Sequence, residues 1–260
     1  MRTAASVITG AMALGAVAVP STAFAATAKP VIAKVSSVSS VLGLRSATAT
    51  FGVTVTATDA SGIKAIYAVP YPVALAEEAH AVPTVADIKA DGSADLLSAR
   101  SGSATSQTAG RVQSMKVPTA QLGNNLAGAW AFAVLVVAKD GATTFDAAAG
   151  TFYWQRADAL SAKVSATKVR KGAELNVTGR LSRVNWPAQS YQGYGQQWVR
   201  LEFRRSGSST WTTAGWAKSS STGALSAKVK DGAAGSWRFA FGGNADSGAV
   251  NSAQSWVGLA

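Results

Sequence analysis

Apolar and polar positions alternate with a period of two along most of this chain. Phe51, Val53, Val55 and Ala57 alternate with Gly52, Thr54, Thr56 and Thr58, as in a half-buried strand with β-branched residues on its wet side. Asp59-Ala60-Ser61-Gly62 is a turn signal, after which Ile63, Ala65, Tyr67 and Val69 resume the alternation. Trp130, Phe132, Val134 and Val136 share one side of a longer run. Its other side (Ala131, Ala133, Leu135, Val137) is also apolar, which predicts a central strand covered on both faces. Lys139-Asp140-Gly141 turns the chain, and Gly150 to Gln155 reads as the closing strand of a first domain. Between these strands, residues 70–99 read as an irregular insertion between sheets. Within it Val73 to Ala81 has the composition of a short helix, and Asp87 to Asp95 is turn-rich. Ser101 to Gly110, rich in Ser, Thr and Gly, reads as an exposed loop.

After Arg156-Ala157-Asp158-Ala159 the rhythm restarts with Ala162, Val164 and Ala166, a turn at Lys171-Gly172, then Leu175 and Val177. Val199, Leu201 and Phe203 point one way while Trp198, Arg200, Glu202 and Arg204 point the other. Further strands are expected around 211–218 and 224–229, and Trp237, Phe239 and Phe241 again keep period two. Short strands spaced by turn signals argue for sandwiches of the immunoglobulin type. The expected fold is all-β: two tandem immunoglobulin-like β-sandwich domains, at 26–157 and 158–260, behind a leader.

That leader is residues 1–25. Arg2 is followed by an apolar run from Val7 to Val19, the helix breaker Pro20 and the small-x-small triplet Ala23-Phe24-Ala25. This is the form of a secretory signal peptide cleaved before Ala26. The run is short of the ~20 residues a membrane span needs, so the expectation is a secreted, extracellular protein with no membrane attachment after cleavage. Cysteine is absent, which rules out a disulfide framework, a thiol nucleophile and a thiolate metal site. Charged residues make up 14% of the chain, against about 25% in an average globular protein. That composition suits sandwiches better than helical bundles.

Charge is unevenly divided. Residues 159–260 hold 13 Lys and Arg against 4 Asp and Glu, whereas residues 26–158 hold 10 against 9. A split of this kind belongs to a face that meets an anionic partner.

From residue 168 onward the motifs form a recognisable set. They include Lys171-Gly172-x-x-Leu175-x-Val177-x-Gly179-x-Leu181, Trp186, Tyr191-x-Gly193-Tyr194, Val199-x-Leu201-x-Phe203-Arg204 and Gly235-x-Trp237-Arg238-x-x-Phe241-x-Gly243. This resembles the immunoglobulin-like carboxy-terminal module of two-domain secreted proteins of streptomycetes and related actinobacteria. Val41-Leu42-Gly43, the run from Val53 to Ile63 and Asn125-Leu126-Ala127-Gly128-x-Trp130 are similar to the first domain of the same group. The resemblance implies an extracellular, non-catalytic β protein of unknown role, in a group to which calcium binding is sometimes attributed.

Candidate chemistry is sparse. The single histidine, His80, lies beside Glu77 and Glu78 without a G-x-S-x-G elbow, so no Ser–His–Asp relay is proposed. Adjacent Glu77 and Glu78 diverge on any regular element, and Asp87, Asp91 and Asp95 read as decorations of a solvated loop. Asp59, Asp140 and Asp146 sit on turns and match no D-x-D-x-D-G loop; Asp favours turns for its own hydrogen bonding. The stretch from Arg183 to Gln197 interleaves Trp186, Tyr191 and Tyr194 with Gly and Gln, flanked by Arg180 and Arg200. Aromatics stack on flat rings and arginines pair with phosphate or carboxylate. Equally, Trp186 and Tyr191 fold back to cap the open end of a sandwich, where buried aromatics are common. The ligand-contacting candidates are therefore Arg180, Arg183, Trp186, Tyr191, Tyr194 and Arg200, with no catalytic residue, metal ligand or cofactor assigned.

The expected partner is an anionic cell-wall or extracellular polymer met by the second domain of a non-catalytic adhesion or binding protein. Nucleic acid suits the basic, aromatic character but is less natural for an exported chain. The alternatives are a calcium-binding or purely structural extracellular protein, and a hydrolase with its site in 70–99.

Overall fold

A computed structural model describes residues 28–79, 81–90, 100–103 and 105–260. The leader expected at 1–25, His80, Asp91 and Asp95 lie outside the described residues.

The first half contains β1 (Val31–Ser37), β2 (Ser40–Leu42), β3 (Ser46–Thr58), β4 (Ile63–Pro72), α1 (Val73–Ala79), α2 (Val85–Ala90), β5 (Arg100–Gly102), β6 (Ser106–Pro118), β7 (Gly128–Ala138) and β8 (Thr143–Arg156). One sheet has the order β1-β3-β6-β5 and the other β2-β8-β7-β4. With β1, β3, β4, β5, β6, β7 and β8 as the seven successive strands, this is the division of an immunoglobulin constant-type sandwich. Alternation puts Val53, Val55 and Ala57 of β3 inward against Phe132, Val134 and Val136 of β7 and Phe152 and Trp154 of β8. Gly62 closes the β3–β4 turn at φ 93°, a conformation glycine adopts without strain.

β7 is central and apolar on both faces, as its sequence predicts. Its second face is covered by α1 and α2, two helices where the sequence predicts irregular chain. α1 and α2 lie on the outside of the sheet, where buried Ile88 packs with Ala133 and Leu135 of β7 and with Tyr67 and Val69 of β4. Thr84 and Asp87 start α2 reciprocally. The Thr84 N–H and hydroxyl donate to Asp87 Oδ2 at 2.8 and 2.7 Å, and the Asp87 N–H points back at the Thr84 hydroxyl, a capping box that fixes the first turn. A second correction concerns residues 106–110, expected as loop. They begin β6 and pair with Thr54–Thr58 of β3. Their Thr residues suit a pleated surface, and the Thr56 and Thr108 hydroxyls meet at 3.0 Å.

The second half contains β9 (Asp158–Val164), β10 (Lys168–Val169), β11 (Glu174–Asn185), β12 (Ser190–Gly193), β13 (Trp198–Arg205), β14 (Thr212–Lys218), β15 (Ala224–Lys230), β16 (Gly235–Phe241), β17 (Val250–Asn251) and β18 (Ser255–Leu259). A four-stranded sheet joins β12-β11-β15 with β9 on β11, and a six-stranded sheet runs β10-β18-β16-β13-β14 with β17 on β16. Leu175, Val177, Leu181, Val199, Leu201, Trp237, Phe239 and Val257 fill the space between them.

The same device recurs in both halves. The first strand pairs antiparallel in one sheet, and its continuation crosses to pair in parallel with the last strand of the other. β1 pairs β3 while β2 runs parallel to β8, and β9 pairs β11 while β10 runs parallel to β18. The fold is all-β, two immunoglobulin-like sandwiches in tandem, and the strand pairing itself carries that assignment.

Because Ile88 closes the outer face of the β2-β8-β7-β4 sheet, Ile88→Ala should lower stability by about 2–5 kcal/mol. Urea unfolding followed by far-UV circular dichroism measures it.

Candidate functional site

The six residues singled out from the sequence do not share one surface. Three of them build the joint between the sandwiches. β11 points Leu175, Val177 and Leu181 into its own core, then overruns the sandwich, and Val184 and Trp186, of the opposite parity, enter the core of the first half. The Trp186 indole is 0% exposed. Its Nε1–H donates to the Leu42 carbonyl at 3.1 Å, and its backbone N–H donates to Asn124 Oδ1 at 3.1 Å. The residue thus folds back, as one sequence reading had it, but into the neighbouring sandwich.

Beside it, Arg183 donates to Asp246 Oδ2 at 2.7 Å and to the Ser247 hydroxyl at 3.0 Å. Its guanidinium carbon lies 3.8 Å from the centre of the Tyr194 ring. Arg156, the last residue of β8, reaches the same Asp246 oxygen at 3.5 Å, and its backbone pairs with Asp246 and Gly248. Asp158 completes a cluster of two guanidiniums and two carboxylates. Burial pushes its carboxyl up to about 7, with Asp246 adding to the rise, against the downward pull of Arg183, Arg156 and the Ser247 hydroxyl. That hydroxyl acts from outside hydrogen-bond geometry, since neither Asp158 oxygen has a hydrogen-bond partner among the protein groups.

The other three candidates face solvent in different places. Tyr191 is exposed on β12. Arg180 stands on the outer face of the four-stranded sheet, which it shares with exposed Lys163, Lys228 and Lys230. Glu174, on the same face, lies 3.2 Å from Lys228. Arg200 stands on the outer face of the six-stranded sheet, and here the structure assembles something the sequence reading missed.

Trp198 at 60% and Trp216 at 57% exposure neighbour Arg200, and a third solvent-facing indole, Trp256 at 51%, lies farther along the same face. Arg200 sits directly across from Trp216, Trp198 across from Lys218, and Ser236 bridges between Arg204 and Trp256. The carboxylate of this face, Glu202, is buried beneath the guanidiniums. Arg238 donates to its Oε2 at 2.9 Å through Nε and lies 2.8 Å away through its second nitrogen, while Arg200 approaches Oε1 at 3.4 Å. Arg204 donates to neutral Gln254 at 2.7 Å and has no carboxylate partner among the described residues. Arg204 and Arg238 also lie over the Trp211 ring, at 4.8 and 4.1 Å from its centre. The three exposed indoles, by contrast, make no ring contact, cation–π contact or hydrogen bond among the described residues. Cations of the second half are thus divided between both outer faces, so charge alone selects neither. The indoles select one.

The turn aspartates account for themselves locally. Asp59 accepts from the Ser61 N–H, Asp140 from the Ala142 N–H and Asp146 from the Ala148 N–H, each bonding the backbone two residues on. Among the described residues no three His, Asp or Glu side chains gather as a metal site. Glu77 and Glu78 are exposed on α1. No helix of the described residues is long and apolar enough to cross a membrane.

No family model and no curated protein matches this chain. Among solved structures, the fibronectin(III)-like modules of Clostridium thermocellum CbhA align over 87% of this chain and 93% of their own, with 10% identity and a TM-score of 0.43. An I-band fragment of titin aligns over 90% of this chain and 66% of its own, at 11% identity and a TM-score of 0.36. The Yersinia pseudotuberculosis adhesin InvE aligns over 86% and 58%, at 13% identity and 0.29. Identities and TM-scores this low leave the fold assignment to the strand pairing described above.

Two outcomes follow for the joint. A carboxyl raised to about 7 in the folded state binds its proton more tightly there than in the unfolded chain. The stability that Asp158 contributes should therefore be full below about pH 4, decline between about pH 4 and 7 and level off above 7. The slope is at most ~1.4 kcal/mol per pH unit, and less because solvent screens the cluster. Asp158→Asn should flatten that slope in urea unfolding measured from pH 4 to 8. Trp186→Ala removes an indole shared by both halves and should cost about 3–5 kcal/mol, read as a lower urea midpoint.

Proposed function

We propose that this chain is an exported, non-catalytic binding protein whose second sandwich attaches it to an anionic cell-wall or extracellular polymer. The contact surface is the outer face of the six-stranded sheet. The observation that carries the reading is the coincidence on that face of three uncovered indoles with Arg200, Arg204, Arg238 and Lys218, the face's carboxylate being sunk beneath them.

Large exposed indoles on a flat sheet favour association, so a surface that displays three of them fits a surface that works by contact. Cations interleaved with them select a partner of opposite sign and speed the encounter. Of the six sequence candidates, Arg200 lies at the centre of this face. Arg180 and Tyr191 remain solvent-facing elsewhere, while Arg183, Trp186 and Tyr194 are occupied in the joint. Export rests on the leader pattern at residues 1–25, and it makes a polymer of the wall or its surroundings the natural partner.

The exported chain should be retained on purified bacterial cell walls at low ionic strength and released as salt rises through the range where the Debye length drops below ~10 Å. Arg200→Ala with Lys218→Ala should shift release to lower salt. Lys163→Ala with Lys228→Ala, on the opposite face, should shift it less. Failure of the wild-type chain to be retained at any salt overturns the reading.

A further inference from the structure

Resting on that reading of the outer sheet face, we infer that its ligand is an acidic polysaccharide, recognised through its ring faces as well as its charge. A polyol phosphate or another ringless polyanion would not satisfy the same groups.

Arg200 pairs across the strands with Trp216 and is two residues from Trp198 on its own strand. Direct cross-strand neighbours on one face have Cβ atoms about 5 Å apart, and alternate residues of a strand are about 7 Å apart. Two indole-bearing residues thus neighbour Arg200 on the face, one across the strand pair and one along its own strand. Arg200 has one nitrogen against Glu202 Oε1 at 3.4 Å, and its side chain is close to half exposed. Glu202 holds it in place while leaving it charged toward solvent, because Arg238 engages the other carboxylate oxygen.

Trp256 lies three strands away from Trp216 and two side-chain rows along. Strand spacing of ~4.8 Å and a rise of ~3.3 Å per residue put the two about 20 Å apart on a diagonal. Arg200, Arg238 and Arg204 occupy the sheet between them. The face is therefore a track with aromatic plates toward both ends and guanidiniums along it, matched to an extended chain rather than a compact molecule.

Trp211 supplies the contrast. Where this protein needs an indole to hold arginines, it lays Arg204 and Arg238 over the ring. Trp198, Trp216 and Trp256 are left bare. The electron-rich face of an indole attracts the partly positive C–H groups of a ring laid flat upon it, and a pyranose offers such a face. Arginine forks match carboxylate or phosphate oxygens in two-point contacts. A chain that offers both, ring after ring, is a polysaccharide of sugar acids or of acid-substituted sugars.

The test measures binding of the full exported chain by tryptophan fluorescence and by retention in affinity gels at low and moderate salt. Four probes are compared: polygalacturonate, polyphosphate, uncharged dextran and a single-stranded oligo(dT). The inference expects polygalacturonate to bind about tenfold or more tightly than polyphosphate at equal charge concentration, and dextran not to bind measurably. Trp198→Ala with Trp216→Ala should reduce polygalacturonate affinity by about tenfold or more while leaving weak polyphosphate binding unchanged. Trp198→Phe with Trp216→Phe, which keeps flat rings, should recover part of it. Equal thermal melts of these surface variants exclude unfolding as the cause.

Equal binding of polygalacturonate and polyphosphate, indifferent to the tryptophans, overturns the ring requirement but leaves attachment by charge intact. Tighter binding of oligo(dT) than of polygalacturonate overturns the inference in favour of stacked bases. Retention on cell walls with no binding to polygalacturonate overturns it as well, and absence of binding to every anion and to cell walls overturns both readings together.

Discussion

The indole of Trp186 belongs by chain position to the second sandwich and by burial to the first. Its Nε1–H is satisfied by the Leu42 carbonyl, the group at the end of β2, so a residue with a costly polar atom is buried without leaving it unpaired. Around it the backbone is closed on both sides. Ala157 N–H donates to Leu42, Val184 N–H to Ala157, and Arg45 N–H to the Gln189 side chain. Two immunoglobulin-like units linked by a bare connector would hinge. Here the connector between β8 and β9 is the single residue Ala157, bonded to Leu42 of the first half and Val184 of the second.

That constraint decides which surfaces are left over. The end of the second sandwich nearest the first is occupied by the joint, and with it the arginine and tyrosine that would otherwise present a binding loop. Arg183 spends its charge on Asp246 and its flat face on Tyr194. What remains exposed and rigid is the pair of outer sheet faces. One is a field of Lys and Arg among Ser, Thr and Asn, which serves solubility and discourages edge pairing without any ligand. The other carries uncovered tryptophans, which serve neither purpose.

Period two made the strands legible, because a half-buried strand writes its two faces directly into alternate residues. β3, β7, β11 and β13 could be drawn from Val53/Val55, Phe132/Val134, Leu175/Val177 and Val199/Leu201 alone. The helices of the insertion were less legible. α2 has six residues, fewer than two turns, and what orders it is Ile88 meeting the back of a sheet whose apolarity was visible only in β7. The site was half legible. Alternation correctly put Trp198, Arg200, Glu202 and Arg204 on one side of β13. Trp216 joins them through the register of the β13–β14 hairpin and Trp256 through β16 and β18, and alternation within one strand does not encode register. Trp186 misled for the converse reason: a tryptophan among Gly, Gln and Tyr in a long connection looks the same whether it waits for a ligand or for another domain.

Glu202 shows how the exposed face is kept organised. A carboxylate at 6% exposure with no partner would be expensive, and a row of arginines with no carboxylate would spread through rotamers. Setting the acid beneath and the guanidiniums above satisfies both. Arg238 takes the short contacts, the 3.4 Å approach of Arg200 is looser, and one negative charge restrains two positive ones without neutralising the surface. Arg204 is restrained by Gln254 and Trp211 instead, again at no cost in charge. Side chains already held in place lose less freedom when something binds to them, which is where affinity on a flat surface has to come from. Arginines pre-set in this way, on one face with indoles that make no ring contact or hydrogen bond among the described residues, are the arrangement a contact surface requires.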